Sequence, residues 1–472
     1  MTPHARRMQP AARPAAREPV ARRTTPDTRP TDIRRMIAGL LSAVIPGVGQ
    51  AFNRRYRLAR WLIVPALVLV PIVLLVAQLF SPVRLAAWAI HPAVLQTLLV
   101  LNVLVLVWRL IAVGQAFFDS RYPAVPGRLG FAGLVVLSIL VLAPHAYAWQ
   151  VGSAADKAFA SVFQGGSLGD GGEAVGPVPG SGERINILLV GVDATKERSA
   201  TLTDTMMVVS LDPVGKTASM LSIPRDMVSV PLGNGDDYGP KINSLLGYVE
   251  RNPDDFPNGP MRTLQDAIGA LLGIPIHYYA RIDFEGFIDM VDAVGGVDIR
   301  VRKDLEDPSY DGYGIGERGW SITKGRHRLD GVNALAYARI RKAAGESDFT
   351  RAARQQEILI AMRQRVSSGT TLLFDLPDLL TAVGKTLRTD IPVSALPDLI
   401  VTFESVDSDR IARGVIRHPL VRTESTRYGD GLVPKLDEIR AYAAELFPEP
   451  GELPVGVESP APSVAPSTTP AE

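Results

Sequence analysis

The chain has 472 residues, enough for two or three units of about 150 residues each, and balances 50 Lys+Arg against 49 Asp+Glu for a net charge of +1. That balance supplies no global field for nucleic acid, which is not expected as a partner. Cysteine is absent, which excludes disulfides, zinc–thiolate sites and cysteine nucleophiles while fitting either redox compartment.

Residues 1–35 hold nine arginines among Pro, Ala and Thr, with few large apolar side chains, and read as a disordered basic arm on the cytoplasmic side. Residues 36–150 read as an all-α membrane region. Its first run, Met36–Phe52, contains Pro46, Gly47 and Gly49, and Arg54, Arg55, Arg57 and Arg60 follow at once. If this run crossed the bilayer, one of two basic clusters would lie outside, against the positive-inside rule. It is therefore expected to be an interfacial or re-entrant hairpin, and IPGVGQAFNRRYRLAR resembles the PGxGQ-type hairpins of small multi-span membrane modules. The runs Trp61–Phe80, Pro92–Val113 and Leu129–Trp149 approach the ~20 apolar residues needed to span. Pro65 and Pro71 in the first are tolerated in membrane helices. Three spans from a cytoplasmic amino terminus place everything after Trp149 outside, with Arg121 and Arg128 in a cytoplasmic loop.

Residues 165–183 form a Gly/Pro-rich linker. Its GGSLG matches G-x-S-x-G, but a nucleophile elbow needs a strand before the serine and a helix after it, so Ser167 is not a catalytic candidate. From Arg184, strands and helices alternate. INILLVGVD, TMMVVSLDP, ASMLSIPRD, IHYYARIDF, VDIRV and ALAYARIRK read as strands. TLQDAIGALLG, closed by Gly273, reads as a helix, as do EGFIDMVDAVGG and DFTRAARQQEILIAMRQRV. Pro377 and Pro392 bracket a shorter helix, DLLTAVGKTLRTDI. This alternation predicts one α/β domain over 184–447, with a central mixed sheet flanked by helices. Residues 449–472, rich in Pro, Ser, Thr and Ala, read as a disordered tail.

Charged groups gather in two places. In ALAYARIRKAAGESDFTRAARQQ, Arg339 and Arg341 stand at strand spacing, and Asp348, Arg351, Arg354 and Gln355 stand at helix spacing. Several guanidiniums can thus converge with little local acid, and their forks match phosphate oxygens. In the first half of the domain Asp193, Arg225 and Asp226 follow strands, where open α/β sheets bind ligands, and Asp204 opens a strand. Two carboxylates near a pyrophosphate suit Mg²⁺. Lys241 and Asn243 in PKINSL add a charge and an amide. The sequence contains no Walker A loop and no H-E-x-x-H. GIGERG (Gly314 to Gly319) lacks a preceding strand and reads as loop. His277 and His327 read as structural. Arginine and aspartate dominate, pointing to phosphoryl transfer.

Taken together, NILLVGVD, TDTMMVVSLDP, LSIPRD, KIN, IPIHYYARIDFEGFIDMVDAVGGVDI and LDGVNALAYARIRK…DFTRAARQQ, in this order over Ile185 to Met362, resemble the LytR–CpsA–Psr family. The resemblance implies an α/β fold with a polyprenyl-lipid tunnel and an arginine-lined pyrophosphate pocket holding Mg²⁺. It also implies a bacterial membrane enzyme with an extracytoplasmic catalytic domain, which the three apolar runs would make multi-pass. Such an enzyme would transfer a phospho-glycopolymer from a polyprenyl-pyrophosphate carrier to a peptidoglycan hydroxyl. Carried onto this chain, Asp193 and Asp204 would be metal ligands. Arg225, Asp226, Arg339 and Arg341 would be catalytic, and Arg225, Lys241, Arg339, Arg341, Arg351, Arg354 and Gln355 would bind pyrophosphate with Asp348 in support. The base is left between a carboxylate and an arginine-polarised hydroxyl. Segments 267–273 and 284–294 would line core and tunnel.

The chain departs from the family in two respects. Leu202 stands where the family often has arginine, with Arg198 nearby upstream, and the multi-span amino terminus replaces the usual single anchor. The competing expectations are a polyprenyl-pyrophosphate phosphohydrolase and a non-enzymatic lipid-binding envelope sensor or transcriptional attenuator.

Overall fold

A computed structural model describes residues 32–80, 92–119, 125–163, 176–193, 201–316, 318–367, 384, 387–392 and 395–457. GGSLG, Arg198, most of the linker and most of the segment between Pro377 and Pro392 lie outside the described residues. The chain divides into two compact units, Met1–Leu69 with Leu106–Leu142, and Val70–Val105 with Ala143–Glu472.

The first unit begins with helices α1 (Asp32–Val44) and α2 (Val48–Phe52). Asp32–Arg35, expected in the arm, instead form the first turn of α1. The physical reason is that Asp32 accepts from the backbone N–H groups of Gly127 and Gly130, both at 3.0 Å. The PGVGQ motif makes a tight helix–break–helix hairpin. Gly47 adopts φ 101°, and a Cβ on Gly49 would stand 2.0 Å from Ala38 O. Ser42 Oγ meets Gln50 Oε1 at 2.8 Å, and Gln50 and Asn53 donate to Ala112 O and Ala116 O.

Helices α3 (Tyr56–Leu79), α4 (Pro92–Phe117) and α5 (Arg128–Phe163) follow. Within them Tyr56–Val76, Ala93–Phe117 and Arg128–Lys157 are long and apolar enough to cross a membrane. Their surfaces expose rows of Leu, Val and Ile, as lipid-facing helices do. The third runs on past the expected end at Trp149 to Phe163.

The larger unit holds strands β1 (Ile185–Asp193), β2 (Leu202–Asp212) and β3 (Thr217–Ile223), then the short pair β4 (Val230–Pro231) and β5 (Asp237–Tyr238). Helices α6 (Leu245–Arg251) and α7 (Pro260–Leu272), strand β6 (Tyr278–Asp283) and helix α8 (Phe284–Ala293) come next. Strands β7 (Val297–Val301), β8 (Leu305–Asp307), β9 (Trp320–Ile322) and β10 (Gly325–Leu329) precede helices α9 (Gly331–Arg339) and α10 (Asp348–Ser367). The domain ends with β11 (Arg388–Thr389), α11 (Leu396–Ser405), β12 (Ile411–Val415), β13 (Val421–Thr426), β14 (Gly429–Pro434) and α12 (Leu436–Leu446).

The central sheet has the order β11-β6-β1-β2-β3-β12. It is mixed, with β1/β6 and β3/β12 parallel and β1/β2, β2/β3 and β6/β11 antiparallel. Alternation sends Leu188, Val190, Met206, Val208 and Leu221 to one face, where they pack with Leu264, Ile268 and Ile439 of α7 and α12. The other face carries Ile187, Val209 and Leu211 under Leu399 of α11, and farther along the strands Leu189, Gly191, Met207 and Ile282 line a cavity.

Three expectations are corrected. ALAYARIRK is the end of helix α9 and its exit, not a strand: Asp330 caps it by accepting from Asn333 N at 2.8 Å, and its Ala- and Leu-rich body has high helix propensity. VDIRV forms a separate ribbon with β10 instead of joining the central sheet. Residues 449–457, assigned to the tail, include Gly451, whose N–H donates to the buried Asp212 carboxylate at 2.8 Å, and Asp212 also meets Arg184 at 3.4 Å.

Candidate active site

A cavity of about 690 Å³ lies between the β1–β2–β6 face and helices α8, α9 and α10. One end is apolar. It is lined by Leu189 and Met207 of the sheet, Phe287 and Met290 of α8, and Ile358, Leu359 and Met362 of α10. Of the two segments expected along a lipid tunnel, only 284–294 contributes. Residues 267–273 pack in the core on the opposite sheet face. The aliphatic stripe of α10 takes that place, in phase with Arg351 and Gln355 at helical spacing.

The other end is charged, and the fold delivers each group separately. Asp193 is the last residue of β1 and is buried. The β1–β2 register passes from Gly191↔Thr205 to Val192↔Thr203, leaving Asp204 as the extra residue of a bulge. A bulge re-aims a side chain, and Asp204 lines the cavity, as does Asp193. Gly191 fits the crowded turn, since a Cβ there would stand 3.1 Å from Thr205 Cβ. Arg225, two residues past β3, forms an ion pair with Asp204.

Behind Arg225, Lys241 Nζ donates to Asp226 Oδ1 at 2.8 Å. Burial pushes the Asp226 carboxyl up, but the Lys241 hydrogen bond and the charges of Lys241, Arg225 and Arg351 outweigh it and hold it below its ordinary value. Asp226 and Lys241 support Arg225 from outside the cavity wall, whereas Asn243 and Leu202 line it.

From the opposite wall come the arginines of α9 and α10. Arg339, the last residue of α9, forks onto Asp311 at 2.9 and 3.2 Å and lies 4.2 Å over the Phe284 ring, with Tyr310 and Tyr313 within 6 Å. Burial lowers its affinity for a proton, and Asp311 more than restores it. Arg341 is exposed on the segment beyond, and its backbone N–H and that of Lys342 donate to Asp307 Oδ2. Arg351, in the first turn of α10, is 7% exposed and reaches Asp348 at 3.2 Å. Burial lowers its pKa; Asp348 and Asp204 oppose that, but the like charges of Arg225 and Arg341 add to it. Gln355 completes this wall, and Gln356 ties α10 to the sheet through Ser222 Oγ at 3.0 Å and Gly414 O at 2.8 Å.

Arg354 is not brought to the cavity. Its guanidinium turns to the other side of α10, onto Glu346 and the Ile340 carbonyl. The site is also richer in acid than the sequence suggested, because Arg225, Arg339 and Arg351 each have a carboxylate partner. Sequence reasoning missed Asp307, Asp311 and the aromatic box around Arg339. The DPS of Asp307 is an Asx-turn signal, borne out by Ser309 N and Oγ bonding Asp307 Oδ1. Asp311 carries no signal. His277, read as structural, is a buried acceptor for Asn186 N at 2.9 Å.

Residues 171–441 match the profile of the LytR_cpsA_psr family. The chain belongs to the LytR–CpsA–Psr family. It is 30% identical over 272 residues to the polyisoprenyl-teichoic acid–peptidoglycan teichoic acid transferase TagU of Bacillus anthracis, covering 58% of this chain and 82% of that protein. It is 37% identical over 191 residues to the enzyme of the same description, TagV, of Bacillus subtilis, covering 40% and 45%. The crystal structure of B. subtilis TagV aligns over 56% of this chain and 98% of its own with 29% identity and a TM-score of 0.44. Within the matched residues, Arg225, Arg339, Arg341 and Arg351 line one cavity, and Asp204 of TDT stands at the bulge.

Proposed function

We propose that this protein is a membrane-anchored phosphotransferase that moves a phospho-glycopolymer from a polyprenyl-pyrophosphate carrier to peptidoglycan, with its α/β domain outside the membrane. The observation that carries the reading is the convergence of Arg225, Arg341 and Arg351 on the charged end of a cavity whose other end is apolar. Like charges gathered this way gain most when an anion of high charge density joins them. The relatives named as transferases support the same reaction class.

In this reading the prenyl chain lies along Phe287, Met290, Leu359 and Met362, while the pyrophosphate meets Arg225, Arg339, Arg341 and Arg351. Asp193 and Asp204 fit Mg²⁺, a hard ion content with one or two carboxylates plus phosphate and water oxygens. Among the described residues no cluster of three or more His, Cys, Asp or Glu exists, so Asp193 and Asp204 would hold the ion together with phosphate and water oxygens. When bound, the ion supplies charge neutralisation on the pyrophosphate. An acceptor sugar hydroxyl attacks the phosphorus next to the donor sugar. A P–O bond forms, the bridging P–O bond breaks, polyprenyl phosphate leaves, and the hydroxyl proton passes to solvent or a site base. Arg339, fixed by Asp311 and the Phe284 ring, orients the phosphates in line.

The test is turnover of a polyprenyl-pyrophosphoryl oligosaccharide by the full-length protein, with and without peptidoglycan. Acceptor-dependent coupling, lost on chelation of Mg²⁺ and in Arg341→Ala, is expected. Release of glycan phosphate equally fast without acceptor would make it a hydrolase, and tight donor binding without turnover would make it a sensor.

A further inference from the structure

We propose that a cationic track on the outer side of this domain holds the negatively charged polymer chain of the donor, beyond the sugar that reacts. The proposal rests on the transferase reading and adds to it a second site for the same substrate.

The track starts on the β7–β10 ribbon. Val297, Ile299, Val301 and Leu329 turn inward, so the alternate residues Arg300, Arg302, Arg326 and Arg328 turn out. The register sets Arg300 directly opposite Arg326, while the next pair on the same face, two residues along, is Asp298 with Arg328. Like charges directly opposite one another destabilise a ribbon. An acid thus faces Arg328 two residues along, but none stands directly opposite Arg300 or Arg326 where the two guanidiniums meet. Arg300, Arg302, Lys324 and Arg326 line one depression of about 560 Å³.

Arg302 also lines the next groove, of about 860 Å³, together with Arg413, Arg417 and the rings of Phe349 and Tyr442. Among the described residues, none of Arg300, Arg302, Arg326, Arg413 and Arg417 has a carboxylate partner, and all are exposed. Three arginines of the catalytic cavity differ in this respect, since Arg225, Arg339 and Arg351 are each neutralised by a neighbour, whereas Arg341, among the described residues, is not.

This groove and the catalytic cavity share a wall. Arg341, Lys342 and Arg351 face the cavity, and Glu346, Ser347 and Thr350 of the same stretch face the groove. A chain leaving the arginine mouth need only cross that ridge to meet Arg302. A row of exposed forks suits repeating phosphates. A membrane surface fits less well, because interfacial binding pairs cations with inserted apolar side chains. None of the exposed large hydrophobic residues lies on the ribbon or in the groove.

The experiment uses the full-length protein in phosphatidylcholine nanodiscs and lipid-free poly(glycerol phosphate), titrated at several salt concentrations. Arg300→Gln/Arg326→Gln and Arg413→Gln/Arg417→Gln are each expected to bind about 3- to 10-fold more weakly, with a flatter salt dependence. They should raise KM for a long-chain donor and leave turnover of a single-disaccharide donor unchanged. Wild-type affinity in both variants would overturn the proposal. So would losses confined to phosphatidylglycerol vesicles, which would make the track a membrane surface, or to lipid-free muropeptides, which would make it an acceptor surface. Because the polymer titration needs no turnover, a protein that binds the chain but never transfers would refute the transferase reading alone. Transfer without polymer binding would refute the track alone.

Discussion

Replacing Arg339 by lysine separates fork geometry from charge at the cavity mouth. In the wild-type protein two guanidinium nitrogens meet Asp311 at 2.9 and 3.2 Å, and the group lies 4.2 Å over Phe284. Lysine keeps the positive charge but offers a point donor in place of the planar fork. Losing one charge-assisted bond to a phosphate oxygen forgoes about 1.5–3 kcal/mol, which is roughly 10- to 150-fold in kcat/KM. The folding cost is smaller. Asp311 is largely exposed, so the ion pair contributes about 0–1 kcal/mol, and the stacking on Phe284 adds about 0.5–1 kcal/mol. The measurement is kcat/KM of the full-length variant on a polyprenyl-pyrophosphoryl donor beside its Tm. Asp311→Asn, which loosens the same fork without removing it, should lose less activity than Arg339→Lys. Unchanged kcat/KM in Arg339→Lys, or a loss matched by equal unfolding, would refute the assignment.

Glu346→Gln is expected to destabilise the domain by about 3 kcal/mol, because it strands the buried Arg354 guanidinium that Glu346 neutralises together with Lys303. Burial raises the Glu346 pKa, but Thr350, Lys303 and Arg354 lower it further, to a net value below the ordinary one. Its stabilising contribution is thus full above the ordinary glutamate range and lost as pH falls through the depressed value. The acid fall of Tm should be shallower in the Gln variant. Leu202→Arg restores a guanidinium to a position that lines the cavity beside Asp204, and KM for the donor should fall by about tenfold. An unchanged KM would mean that the existing arginines already saturate the pyrophosphate. Leu359→Trp fills the apolar end of the cavity and should raise KM for long-prenyl donors while sparing short-prenyl analogues; equal effects on both would place the lipid elsewhere.

Much of the fold was legible because its strands bury both faces. INILLVGVD and TDTMMVVSLDP carry the central hairpin, and Gly273 stops α7 at φ 72°. The ALAYARIRK segment was misread because alternating arginines mimic a strand, whereas the Asp330 cap that starts a helix stands nine residues before Arg339 in the sequence. The small ribbon was taken for part of the sheet because pairing partners are not written in local pattern. At the site, residue types were legible but their directions were not. Helical spacing alone cannot tell that Arg351 and Gln355 face the cavity while Arg354 turns to Glu346. The bulge that frees Asp204 depends on a register shift opposite Gly191, and Asp311 becomes meaningful only when Arg339 is folded against it.

The central claim is that the phosphate next to the donor sugar travels with the glycan while the other stays on the lipid. The most direct measurement is ³¹P NMR of the reaction products made by the full-length protein from a polyprenyl-pyrophosphoryl oligosaccharide and peptidoglycan. The account predicts a phosphodiester in the peptidoglycan fraction and an equal amount of polyprenyl monophosphate in the lipid fraction. Intact polyprenyl pyrophosphate with a phosphate-free glycan on the wall would contradict it.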